Sequence, residues 1–178
     1  MRSFLLTLSL LFTLATAQAE VVRLAPDFTF GSAGKANSLK SLRGTSVVLL
    51  IAKSPKMKEV KAEAKNLREI FEEFANKQVI FIAAFTEESG LVHSDIPFLI
   101  ANNGSAVASA YGAQAPSSGR KSFIPEWMSL NGGPSDFTIV IIGRDGNVDY
   151  QTNKVLTSNR VRDVIQNSYA VQATTGRK

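Results

Sequence analysis

Ser46-Val-Val-Leu-Leu-Ile-Ala52, followed by Lys53-Ser54-Pro55 and then an amphipathic run over 56–77, decides the reading of this chain. An uncharged run rich in branched aliphatic residues suits a strand buried on both faces. The Ser-Pro step breaks it and is a natural place to open a helix. Within 56–77, Met57, Val60, Ala64, Leu67, Phe71 and Phe74 recur at three- and four-residue steps and share one face, with Ile70 at its margin. Gln78-Val-Ile-Phe-Ile-Ala-Ala-Phe85 then reads as a second buried strand. Strand, long helix, strand is the pattern of a parallel crossover, which makes the chain α/β.

Further along, Phe137-Thr-Ile-Val-Ile-Ile142 is another strand, and Asp145-Gly146 is a two-residue hairpin signal with a return strand over 147–151. Thr157 or Ser158 caps a last helix whose Val161, Val164, Ile165 and Ser168 face inward. Between the two halves lie a loop with Glu87, Glu88, Gly90 and His93, the segment Ile96-Pro-Phe-Leu-Ile100, and a short helix over 105–111 ending at Gly112. From 113 to 136 the chain is irregular and rich in Pro, Ser and Gly. Segments of that length inside a compact domain are usually functional or disordered. Upstream, Gly34-Lys35 lacks the glycine and hydroxyl that a phosphate loop needs, since Thr29 and Ala36 stand in those places.

The first residues read as an address. Arg2 precedes an apolar run over 4–14, and Ala17-Gln18-Ala19 supplies the small residues of a cleavage site. The run is short of the roughly 20 residues a membrane span needs. The expected organisation is a signal peptide over 1–19, one domain over 20–172 and a flexible tail over 173–178, in a protein exported to the periplasm or secreted and not inserted in a membrane after cleavage. Removing 1–19 takes away Arg2 and no acid, leaving 19 basic and 15 acidic residues and a formal charge of +4. That balance does not point to nucleic acid. The chain has no cysteine, so an exported protein here forgoes disulfides, and thiol nucleophiles and thiolate metal ligands are excluded.

Ala25-Pro-Asp-Phe-Thr-Phe30, Leu39-Lys-Ser-Leu-Arg-Gly44 and Val47-Val-Leu-Leu-Ile-Ala52 resemble, in this order, the opening of the redoxin and peroxiredoxin families. Val107-Ala-Ser-Ala-Tyr-Gly112 and Ile141-Ile-Gly-Arg-Asp-Gly146 are similar to later motifs of the same families, so the resemblance spans roughly 24–166. It implies a thioredoxin-like fold, with a central mixed β-sheet flanked by helices. It does not carry the chemistry across. The reactive cysteines of those families would fall near Lys56, Glu59 or Val60, Phe137 stands where a cis-proline or peroxide-binding arginine is usual, and Gly143 replaces the usual hairpin aspartate. Cysteine-free thioredoxin-like domains also occur among exported proteins, and there the resemblance implies no thiol chemistry.

The expected function is therefore a non-catalytic binding or accessory module, with an exported protein or a small anionic ligand as partner. The alternative is a redoxin-family antioxidant or oxidoreductase that borrows a partner's thiols or a bound cofactor. No catalytic residue, metal ligand or cofactor follows from the sequence. His93 is a lone histidine beside Asp95, short of the ligand set a zinc site requires, and no Gly-x-Ser-x-Gly elbow is present. Asp145, Asn147 and Asp149 are explained by the hairpin without a calcium loop. Candidate binding residues are Ser54 and Lys56 at the helix start, where backbone N–H groups and the helix dipole favour an anion. Phe123, Trp127 and Met128 form a second candidate, being residue types that anchor interfaces. A third is the basic stripe Lys58, Lys61, Lys65 and Arg68, which falls within about 80° of the helix circumference.

Overall fold

The structure, a computed structural model, describes residues 23–31, 36–74, 79–88, 90–112 and 136–175. Strand β3 (Ser46–Ala52) is buried along its whole length and lies at the centre of a five-stranded sheet. It leads into helix α1 (Lys58–Phe74) and strand β4 (Val79–Phe85), which runs parallel to β3 with Ser46 opposite Val79 and Ala52 opposite Phe85. Strand β6 (Phe137–Ile142) pairs antiparallel on the other side of β3, and the 145–146 turn returns the chain as β7 (Val148–Thr152). A short β5 (Leu99–Ile100) adds parallel to β4, giving the order β5-β4-β3-β6-β7. Two further short strands, β1 (Thr29–Phe30) and β2 (Asn37–Ser38), pair with each other and precede a 3-10 turn at Leu39–Leu42.

The period-two alternation of β3 divides the core into two layers. Val48, Leu50 and Ala52 face α1 and the last helix, α3 (Ser158–Thr175), while Val47, Leu49 and Ile51 face α2 (Gly104–Ala110), Phe30 and Tyr111. Burial of both strand faces explains why the run is continuous rather than alternating. The hairpin turns on Gly146, whose φ of +80° is a left-handed conformation that side-chain-bearing residues rarely adopt. Asp145 completes that turn by accepting the Asn147 N–H on Oδ1 at 2.9 Å and its side-chain amide on Oδ2 at 2.6 Å. Thr157 caps α3 through the Arg160 N–H, and Val161, Val164 and Ile165 are buried as the spacing predicts.

Helix α1 departs from its expected outline. It begins at Lys58 rather than at 56, because Pro55 and Lys56 form a turn closed by Met57 N–H on Ser54 O. Its buried face is also rotated. Ile70, expected at the margin, is fully buried, whereas Phe71 is half-buried. The rotation follows from α3, which packs beside α1 and covers the flank carrying Glu63 and Ile70. Phe71 is left at the opposite edge, where it meets Phe81 edge-on at 6.1 Å, and Phe81 in turn meets Phe98 at 5.9 Å.

Candidate functional site

The turn between β3 and α1 is where the sequence placed its first candidate site, and a ring of charged groups closes it. Ser54 Oγ donates to Glu88 Oε2 at 2.6 Å, and Lys56 Nζ donates to Glu88 Oε1 at 2.5 Å. Ser54 Oγ also accepts the Lys56 N–H at 3.2 Å, so the hydroxyl holds the turn and the carboxylate together. Beside them, Lys53 Nζ lies 2.9 Å from Asp136 Oδ1 and 3.7 Å from Glu87 Oε1. The backbone ties are equally local. Lys53 N–H donates to Asp136 O, and the N–H groups of Glu87 and Glu88 both donate to Lys53 O.

The electrostatics follow these contacts. The Lys56 ammonium, and after it the Ser54 hydroxyl, holds the Glu88 carboxyl below its ordinary range. The Asp136 carboxylate holds the Lys53 ammonium above its ordinary value. An anion is thus already present at Ser54 and Lys56, and it belongs to the chain itself. The sequence picked the two groups that hold it and passed over Glu88, which lies 34 residues from Ser54 in the chain.

The remaining candidates separate. Phe123, Trp127 and Met128 fall in 113–135, outside the described residues; the described chain resumes at Asp136, beside Lys53. The basic stripe divides along α1. Lys58 lies outside the groove and has Glu59 at 3.8 Å, whereas Lys61, Lys65 and Arg68 line a groove beneath residues 91–95. His93 and Asp95 lie on the other side of that groove.

A further charged residue escaped the sequence reading. Glu63 is fully buried between α1 and the start of α3, where Oε2 accepts the Leu156 N–H at 2.7 Å and Oε1 has no hydrogen-bond partner. Burial pushes its carboxyl up to about 7, and the Leu156 hydrogen bond opposes that rise without cancelling it. Asn66 and Ser158 fasten the same junction, through Asn66 Nδ2 to Leu156 O at 2.7 Å and Ser158 Oγ to Asn66 O at 3.0 Å. A signal was available. On a helical wheel Glu63 falls between Val60 and Ile70, inside the apolar face, and an acid there demands an explanation.

The fold and its site define a class: a thioredoxin-like fold, a mixed five-stranded sheet flanked by three helices, in a chain without cysteine. Among solved structures the chain is similar to thioredoxin-like redoxin proteins. A thiol:disulfide interchange protein DsbE from Chlorobium tepidum is 15% identical with a TM-score of 0.61, covering 83% of this chain and 96% of its own. Peroxidoxin BcpB from Mycobacterium tuberculosis is 18% identical with a TM-score of 0.55, over 84% and 96%. The exposed lipoprotein thioredoxin Etrx1 from Streptococcus pneumoniae is 17% identical with a TM-score of 0.55, over 80% and 99%. No protein-family model and no curated protein matches the chain by sequence.

Proposed function

We propose that this chain is an exported thioredoxin-fold protein that works by binding, without thiol chemistry of its own. The observation that carries this reading is the closed turn. Where the fold leads from its central strand into α1, this chain places Lys53, Ser54 and Lys56, neutralised by Asp136, Glu87 and Glu88. An ion-paired cluster of this kind offers no nucleophile and no electron pair of the sort a disulfide or peroxide requires. Export is proposed from the apolar leader over 1–19; in addition, no helix among the described residues is long and apolar enough to cross a membrane. The partner is an exported protein or a small anion. Ser54, Lys56 and the residues Phe123, Trp127 and Met128 are the proposed contacts, the last three lying in the segment that ends at Asp136.

A capture experiment separates this reading from an oxidoreductase that borrows its partner's thiols. The mature chain is immobilised and exposed to the native exported fraction, with and without prior alkylation of all thiols by N-ethylmaleimide. The binding reading predicts the same retained protein in both arms. A partner retained only when its thiols are free overturns it.

A further inference from the structure

Residues 86–88 and 90–96 lie along one flank of α1 beyond the end of β4 and are tied to it at both ends. At the near end Glu88 holds Ser54 and Lys56, and Gly90 lies against the buried Pro55 ring, where an added Cβ would come within 3.1 Å of Cγ. At the far end Arg68 Nη1 donates to Asp95 Oδ2 at 2.8 Å, and Ile96 is buried in the core. Between the two ties the loop stands off the helix and leaves an open groove of about 480 Å³. That volume lies within the usual range of small-molecule sites.

The two walls differ in chemistry. Lys61, Ala64 and Lys65 lie on the helix wall and Leu91, Val92 and His93 on the loop wall, with the Arg68–Asp95 pair closing the far end. Charge is unbalanced along the helix. Arg68 is met by Asp95 and by Glu72, whose Oε1 lies 3.3 Å from Nε, whereas Lys61 and Lys65 have no acidic partner among the described residues. The two lysines are one helical turn apart, a spacing from which both ammonium groups can reach a single anionic head. Opposite them Leu91 is 78% exposed, while Val92 packs back onto the core. The groove thus sets exposed apolar surface opposite two cations with no acidic partner among the described residues. One ligand answers both.

We propose that this groove binds a small anion carrying an aliphatic arm. Lys61 and Lys65 hold a carboxylate, sulfate or phosphate head, and the arm lies along Leu91 and Val92. The groove is separate from the Ser54–Glu88 cluster and does not depend on the absence of thiol chemistry, so either reading fails without the other.

The test uses the full mature chain, labelled with nitrogen-15 and titrated with three probes: octanoate, acetate and octyl glucoside. Octanoate is expected to give saturable amide shifts confined to residues 61–68 and 90–95. Acetate is expected to bind at least about tenfold more weakly, and octyl glucoside to give no saturable shift there. Lys61→Gln/Lys65→Gln is expected to weaken octanoate at least about tenfold while the rest of the amide spectrum is unchanged. Leu91→Ser is expected to weaken octanoate and leave acetate unaffected. The proposal is overturned if octanoate produces no saturable shift, if acetate or octyl glucoside binds as tightly, or if the double lysine variant binds octanoate unchanged. Binding of phosphatidylglycerol vesicles without binding of octanoate also overturns it.

Discussion

At Glu63 the chain buries a carboxyl with one hydrogen bond and one bare oxygen. The consequence for pH has a definite sign. The ordinary value of such a group is 4.5 and its folded value is about 7, so between those limits the folded chain keeps a proton that the unfolded chain has lost. Stability from this residue is full below about 4.5 and falls as pH rises to 7. A shift of that size corresponds to at most about 3 kcal/mol. Glu63→Gln keeps an oxygen for the Leu156 N–H and removes the charge. In urea unfolding the variant is expected to match the native chain near pH 4 and to exceed it by about 2 kcal/mol at pH 8. Parallel pH profiles for the two proteins would contradict this account. The residue was legible only in part. Periodicity finds the apolar face of α1, but which edge of that face is covered depends on α3, about a hundred residues later in the chain. Neither the burial of Glu63 nor that of Ile70 is a local property.

At the scale of the element, the turn before α1 shows how a site is kept or closed by a loop distant in sequence. Helix starts attract anions, and Ser54 with Lys56 has the groups to hold one. The chain supplies its own anion in Glu88, so a free anion must displace it. Glu88→Gln is expected to raise sulfate affinity at Ser54 and Lys56 at least about fivefold, read from their amide shifts. It should cost little stability, because pairs at exposed positions stabilise little. Unchanged sulfate shifts would mean that the cluster is structural only. Long buried strands and the 145–146 hairpin were legible from composition and turn chemistry, since each is specified by its own residues. The pairing of the two-residue strands β1, β2 and β5 was not, because it exists only where a neighbouring segment offers a partner. Gly104 shows the same limit. It opens α2 so close to Phe85 that an added Cβ would overlap the Phe85 backbone, a contact its neighbours in sequence do not announce.

For the whole molecule, the order of the motifs over 24–166 carried the fold, and the mixed sheet β5-β4-β3-β6-β7 agrees with it. What the sequence says of chemistry comes by subtraction: without a cysteine the scaffold has no redox sulfur to present. What the sequence alone did not reveal is how the vacant turn is filled. That depends on Glu87, Glu88 and Asp136 meeting Lys53, Ser54 and Lys56 across the end of the sheet. Thiol-dependent turnover by the purified chain is the most direct test of the central claim. Hydrogen peroxide consumption and insulin-disulfide reduction are followed with dithiothreitol as reductant while the chain's concentration is varied. The account predicts rates that equal the protein-free blank at every concentration. Turnover that rises in proportion to the amount of chain would contradict it.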